Sequence, residues 1–475
     1  MIRPLKLRSG LALALVLSAC SHGGPRVQSA PSLADLRRRA AGERPDSAAA
    51  VDAALAELVA PGGSLSAAAG LDAIGRSRPG DPRVRFAEGL VASQHGDFER
   101  ALVAWCATVE AARSSADPMA SSIAEAVVPK LVSLRGDVRD FATPFRQLVD
   151  AVATDPGRLG AAAATELIET AVRWAREAGD REAAARWTVA SGCVTSWTVA
   201  GPFGPLPMLR FDEALDPDGS APLQAAYDLG PGRGLQPTYP VRARGCAANL
   251  GRGITLTGVL YAATDFVLPR EESVSIRVES PNLFSLLVDG VPVAGIDPRR
   301  SAVGAVAEAR LRLGAGAHTL RIKVASTYHS PLVIATVTDL AGRAVATFAP
   351  ARRSAAPVPP RVLPVPASPA DDAFLPNATL GAFDRYVLAE LAFSRRHPIA
   401  ARELLRSLIG EGATPATLIA WGSVAQADPF VPPAQSRDRA RDAFERAGRG
   451  DPQAYFPSLA LARMASEDER GDEAL

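Results

Sequence analysis

The sequence predicts a multidomain chain of α and β parts: an α-helical solenoid, a central β-sandwich and a second α-helical repeat region. Three observations carry this. Apolar residues recur at helical spacing through two Ala-rich stretches, residues 33–190 and 374–475. Between them, residues 194–350 alternate apolar and polar with a period of two. A Pro-rich stretch, residues 351–373, then separates the second pattern from the third. Periods of 3.6 and 2 are the primary sequence signals for helix and strand. A length of 475 residues suits about three domains of roughly 100–200 residues each.

The first twenty residues form a unit of their own. Arg3, Lys6 and Arg8 make a basic start, and the apolar run Leu11–Leu17 follows. That run is shorter than the roughly 20 residues a spanning helix needs, but it suits the core of a signal peptide over residues 1–19. It ends in Leu17-Ser18-Ala19-Cys20, which resembles the lipobox of bacterial lipoproteins. The resemblance implies export, cleavage before Cys20 and lipid on its thiol, palmitate among the acyl chains. One acyl chain anchors only marginally, whereas the usual three hold firmly. Ser21 stands where inner-membrane lipoproteins often carry Asp, so the resemblance favours the outer membrane of a Gram-negative cell envelope. Residues 20–32, rich in Ser, Gly and Pro, are expected to be a flexible tether.

In the first helical region Gly96-Asp97 supplies a break and an N-cap. Phe98, Ala101, Leu102, Trp105 and Val109 then fall on one helical face. Gly89, Ala101 and Trp105 have small, small and aromatic side chains at a spacing that recurs in part at Gly179-Asp180, Ala183 and Trp187. Late in the chain Ala440, Phe444, Ala447 and Pro452 read A-x3-F-x2-A-x4-P, and Phe456, Leu459 and Ala460 open a further helix. These patterns resemble the tetratricopeptide repeat. The resemblance implies stacked antiparallel helix pairs, in which small residues allow close approach and the aromatic fills the gap to the next pair. A generic helical solenoid is the alternative and implies almost the same shape. The end, Gly471-Asp472-Glu473-Ala474-Leu475, is similar to the helix opening at Gly96–Leu102. It predicts an incomplete last region, either a truncated chain or one capped by a partner.

In the middle region Val274, Ile276 and Val278 alternate with Ser275, Arg277 and Glu279; Leu320, Ile322 and Val324 alternate with Arg321 and Lys323. Each set describes a strand with one buried face. Asp289-Gly290 lies between two such runs and suits the positive φ angles of a tight hairpin turn. Val288-Asp289-Gly290 and the run Leu313–Ile322, with His318 inside it, resemble the jelly-roll modules of the galactose-binding and protective-antigen type. The opening Trp197–Phe203 resembles bacterial proteins that join tetratricopeptide repeats to such a sandwich. The linker, with Pro357, Pro359, Pro360, Pro364, Pro366 and Pro369, is expected to be extended and unpacked.

Little in the sequence speaks for catalysis. There is no Walker loop, HExxH, GxSxG or helix-opening GxGxxG, and no C-x-x-C. No enzyme activity, cofactor or metal is therefore expected. Cys193 and Cys246 share the middle region and are expected to pair in an oxidising compartment, while Cys106 reads as a small hydrophobe in a helix. His318 and His329 flank one strand and read as structural. Asp216-Pro217-Asp218-Gly219 reads as a turn, since it lacks the further acidic ligands a calcium loop needs. Asp371-Asp372, the adjacent pair that a calcium lectin of this kind would use, falls in the linker. Tyr227, Tyr239 and Tyr328 are the surface candidates for stacking on a sugar ring.

A net charge of +1 gives no field that would draw nucleic acid. The expected function is therefore a membrane-anchored envelope scaffold. It would hold a protein or peptide partner through its helical repeats. The alternatives are a polysaccharide-binding protein acting through the sandwich, and the non-catalytic front part of a longer envelope enzyme.

Overall fold

The structure is a computed structural model that describes residues 31–41, 47–63, 67–219, 221–229, 233–251, 257–297, 306–327, 331–348, 359–363, 380–395 and 397–467. The signal peptide, Cys20, most of the tether, Tyr328, His329, most of the linker and the last eight residues lie outside these. Among the described residues there are fifteen α-helices and three antiparallel sheets.

Nine helices precede the sheets: α1 Leu33–Ala40, α2 Ser47–Val59, α3 Ala67–Ser77, α4 Pro82–Gln94, α5 Phe98–Ser114, α6 Ala120–Ser133, α7 Ala142–Thr154, α8 Ala161–Glu177 and α9 Arg181–Ala190. Their starts follow from local chemistry. Asp97 and Asp180 each accept a hydrogen bond from a first-turn N–H, of Arg100 and Ala183, satisfying donors that have no partner inside the helix. Asp81 does the same for Arg83, with Pro82 in the first turn, where its missing N–H costs nothing.

Helix pairing rests on small residues set against aromatic ones. A Cβ on Gly89 of α4 would lie 2.2 Å from the Trp105 ring of α5. The same device returns after the sheets, where α11 Ala382–Ser394, α12 Pro398–Arg406, α13 Pro415–Gln426, α14 Pro433–Gly450 and α15 Tyr455–Glu467 follow. There a Cβ on Gly422 of α13 would lie 2.6 Å from the Phe444 ring of α14.

The two helical stretches, far apart in sequence, share one core. Its buried residues run from Val51 to Trp187 and again from Phe383 to Val424. Helix α11 lies against α6 and α2. Phe86 meets Phe383 edge to face, with centroids 5.9 Å apart. Lys130 pairs with Glu390 at 2.6 Å, and Arg395 reaches Glu125 through two bonds of 2.6 Å. Gly62 N–H donates to the Gly412 carbonyl, and the Thr417 hydroxyl donates to that of Val59. The sequence pattern marks these as two separate regions; in space they close on each other.

The intervening unit holds β1 Ser196–Phe203, β2 Ala226–Asp228, β3 Leu235–Pro237, β4 Tyr239–Arg242, β5 Ala247–Asn249, β6 Gly258–Leu268, β7 Glu272–Glu279, β8 Leu283–Val288, β9 Val291–Ile296, β10 Val306–Leu313, β11 Gly316–Ser326, β12 Leu332–Asp339, β13 Thr347–Phe348 and β14 Arg361–Val362, plus the single-turn helix α10 Pro207–Arg210. One sheet runs β4-β1-β6-β11-β8-β9, with β13 beside β6; a second runs β14-β10-β7-β12-β5; β2 and β3 pair alone. The two larger sheets bury a common core. Val274, Ile276 and Val278 enter it from one sheet, and Leu320, Ile322 and Val324 from the other.

Asp289 and Gly290 both have positive φ, 51° and 81°, and join β8 to β9 with Val288 opposite Val291. The Asp289 carboxylate accepts from the His318 Nδ1 at 2.7 Å and from Thr319 N–H at 2.9 Å. Nε2 of His318 lies 2.9 Å from the Gly314 carbonyl.

Part of the expected linker is packed. Arg361 and Val362 pair with Arg312 and Leu311 at the free edge of β10. An open edge offers unpaired backbone groups, and proline is tolerated at an edge because its missing N–H can face outward.

Two stability outcomes follow. Gly89→Ala or Gly422→Ala should each cost about 1–3 kcal/mol through overpacking, read as a lower denaturant midpoint. Arg395→Ala leaves Glu125, whose side chain is only 6% exposed, without its cation and should cost about 2–4 kcal/mol. An unchanged midpoint would show that the Arg395 contact does not hold α11 in place.

Candidate ligand cavity between the helical segments

The closure of the late helices onto the early ones leaves a cavity of about 530 Å³, within the range of small-molecule and peptide-anchor pockets. Both stretches supply the wall. Phe98, Trp105 and Pro129 come from α5 and α6; Tyr386 and Phe393 come from α11; Tyr455, Phe456 and Leu459 come from α15. Phe98 and Tyr455 meet edge to face at 5.6 Å, tying α5 to α15. The His95 Nε2 and the Asp451 carboxylate are 2.9 Å apart and tie the adjoining loops.

The polar groups are few and placed. The Lys130–Glu390 pair sits in the wall with side-chain exposures of 23% and 15%. Tyr386 is fully buried and hydrogen-bonds Glu390; burial, then the Glu390 charge, pushes its phenol well above the ordinary range, so it stays a neutral donor. The side-chain nitrogens of Gln94 and Trp105, both buried residues of the wall, have no acceptor. Pro129 withholds the helical N–H that the Glu125 carbonyl would otherwise accept. Asp137 and Arg463 add one charge of each sign. An apolar hollow with a few fixed polar groups orients a bound molecule.

A second cluster of titratable groups joins the helical core to the sheets. Glu125 of α6 and Glu166 and Glu169 of α8 interact with Arg277 and Glu279 of β7, and with Arg395 and Arg173. Loss of solvent pushes Glu166 and Glu169 up to about 7, against the opposing pull of Arg277. Beside them Cys193 and Cys246 form a disulfide. Val194 N–H donates to Ala335 and Val337 N–H to Gly192, extending the junction into β12. Glu169, Cys193 and Cys246 are the one group of three potential metal ligands close together among the described residues. The disulfide leaves no thiolate there to bind a metal.

The other residues singled out in the sequence have structural settings. Tyr227, expected at the surface, is buried against Phe203 at 5.6 Å, and its hydroxyl accepts from Gln224 N–H. Tyr239 is half-buried and donates to the Leu250 carbonyl. Tyr227 sits in a segment that packs Phe211, Leu215 and Leu223 against Phe203 and Tyr261 on the outer face of β1 and β6, whereas Tyr239 of β4 packs against the core between the two sheets. Asp218 is occupied too. It accepts from the Tyr261 hydroxyl at 2.9 Å and the Lys323 ammonium at 3.0 Å. Cys106 is half-buried, and burial, with the Glu110 charge, pushes its thiol up to about 12. At neutral pH it is an unreactive thiol. The cavity escaped sequence reasoning because its walls come from segments hundreds of residues apart. Only the apolar faces of Phe98–Val109 and Phe456–Ala460 hinted at it.

No protein-family model matches the chain, and no curated protein or solved structure matches it either. No described helix is long and apolar enough to cross a membrane.

The Glu166 and Glu169 carboxylates set a pH dependence. Their ordinary value is 4.5. Between about 4.5 and about 7 the folded chain holds protons that the unfolded chain has released, so stability falls as pH rises through that window. A melting-temperature series over this range should slope downward. In the Glu166→Gln/Glu169→Gln double variant, which mimics the protonated state, the slope should shrink. An unchanged slope would remove these two residues as its source.

Proposed function

We propose that the chain is an exported lipoprotein, anchored through lipid on Cys20 to the outer membrane, that works as a binding scaffold and not as an enzyme. The observation that carries this is the cavity closed jointly by the two helical stretches. It is apolar, large enough for the anchor side chains of a peptide, and furnished with buried amide and indole donors suited to a peptide carbonyl. The partner is an envelope protein that offers an extended or helical segment with two or three large apolar residues.

The finer architecture belongs to the same reading. The Gly89–Trp105 and Gly422–Phe444 contacts support tetratricopeptide-like pairs, and stacked pairs of that kind present a concave surface to ligands. The shared core of the two larger sheets supports a jelly-roll-like sandwich between them. In this reading the sandwich braces the two helical stretches.

The test is selection of displayed random peptides against the purified chain, followed by titration of the winners. Apolar peptides with Kd of about 1–100 μM are expected. Leu459→Glu, placing a charge in the cavity wall, should weaken them about tenfold or more while the melting temperature moves little. Peptides that bind Leu459→Glu as well as the original chain would sink the cavity as the binding surface.

A further inference from the structure

Three chain segments meet where the helical core joins the sheets. Helix α8 carries Glu169, Val172 and Arg176 at i, i+3 and i+7, on one face. That face packs on the turn before β5: a Cβ on Gly245 would lie 3.0 Å from a Val172 methyl carbon and 3.4 Å from the Arg176 Nε. Cys246 is the next residue. Cys193 follows α9 by way of Ser191 and Gly192. Gly192 has a φ of 67°, and a Cβ there would lie 2.4 Å from the Val337 carbonyl oxygen. Cys193 itself is bridged to Thr336 of β12. Backbone contacts therefore fix where all three side chains start.

A carboxylate oxygen of Glu169 and the Sγ atoms of Cys193 and Cys246 lie within 4.8 Å of one another. Both cysteines are buried. Ser191, also buried, donates its hydroxyl to the Cys193 Sγ at 2.7 Å and lies 3.6 Å from the Cys246 Sγ. What acts on Glu169 is loss of solvent and the charges of Arg277, Glu279, Glu166 and Arg173, with no hydrogen bond among these influences.

We infer that reduction of the Cys193–Cys246 disulfide opens a Zn²⁺ site, with the two thiolates and the Glu169 carboxylate as ligands. A dithiol reductant supplies two electrons and two protons. Its own thiols join in a disulfide, the protein S–S bond breaks, and Cys193 and Cys246 become thiols. The cation then displaces one proton from each thiol and bonds to both sulfurs and to the Glu169 oxygen. Tetrahedral Zn²⁺ holds two thiolates roughly 3.8 Å apart, and a thiolate and a carboxylate oxygen roughly 3.6 Å apart. Both spacings fall inside the present spread. The fourth position is left to water. Thiolate ligands select Zn²⁺ over Ca²⁺ and Mg²⁺, which take oxygen. The ion brings two positive charges against three negative ones, and Arg277 beside Glu169 balances the remainder. The Ser191 hydroxyl orients a sulfur from outside the coordination shell. Disulfide and metal thus exclude each other, and the junction is tied covalently or through the ion. The site uses no residue of the helical cavity and does not rest on peptide binding there.

The experiment reduces the full chain with a phosphine, which takes up the oxygen of one water as phosphine oxide and adds no thiol of its own. Zn²⁺ and Co²⁺ are then titrated. The reduced chain should take up a single Zn²⁺ with a Kd of about 1 μM or tighter, and Co²⁺ should produce thiolate-to-metal charge-transfer absorption. The oxidised chain should do neither. Cys193→Ser/Cys246→Ser should abolish the absorption, and its remaining cysteines serve as the control for stray thiols. Glu169→Gln should weaken Zn²⁺ at least about tenfold and Ser191→Ala about tenfold. Leu459→Glu should change nothing, so that this site and the helical cavity fail separately. If reduction loosens the fold, Zn²⁺ should restore the melting transition, because the ion binds the folded state. A reduced chain that neither binds Zn²⁺ nor regains its transition with it overturns the assignment. So does Zn²⁺ binding left unchanged by Cys193→Ser/Cys246→Ser or by Glu169→Gln.

Discussion

The contact between α6 and α11 is the constraint on which the rest of the molecule depends. Helix α6 buries Ile123, Val127 and Leu131 completely, and much of what covers this region, Val387 and Leu391 among it, lies more than 250 residues further on. Burial of this apolar surface supplies the drive, at roughly 25 cal/mol per Å². The charged pairs at the same contact, Lys130–Glu390 and Glu125–Arg395, add little net energy because desolvation offsets attraction. What they add is position. Carboxylates and cations at two points along a helix pair allow one register and penalise a shifted one. The cavity exists because that register holds α5, α6, α11 and α15 at a fixed separation.

The junction with the sheets works by a different balance. Several carboxylates, from Glu125 to Glu279, crowd around Arg277, with Arg395 and Arg173 beside them, and loss of solvent holds Glu166 and Glu169 above the ordinary carboxylate range. The disulfide Cys193–Cys246 and the backbone bonds of Gly192 and Val194 hold the chain covalently and locally at the same place. The sheet unit is thus fixed at its entry, and the electrostatic part of the contact is the part that responds to solution conditions.

What could be read from the sequence was local. Gly96-Asp97 marked a helix start because a positive φ and an N-cap are properties of two adjacent residues. Val288-Asp289-Gly290-Val291 marked a hairpin for the same reason. The close approach of Gly89 to Trp105 was legible as spacing, since consecutive helices carry both residues. Tyr227 was read as a surface residue because its burial depends on contacts with Phe203 and Tyr261 on the outer face of a sheet that alternation alone leaves open. The Arg361–Val362 strand was missed because a Pro-rich run reads as unpaired, while an available edge at β10 decides otherwise. The cavity between the helical segments and the Glu166–Glu169 cluster each combine side chains from distant elements. One-dimensional periodicity holds no information about such combinations.

The splitting of the helical core also sets an order of events for a chain that emerges from its N-terminus. The sheet unit is nearly contiguous, and its strands β1–β13 are complete once residue 348 has appeared. The nine early helices are not complete then. Their apolar faces wait for α11–α13, the last of which ends at Gln426. The chain must therefore be present as far as residue 426 before the early helices find their final partners. During that interval the early helices are the stickiest part, and whatever shields nascent hydrophobic surface has to act on them rather than on the helices that follow the sheets.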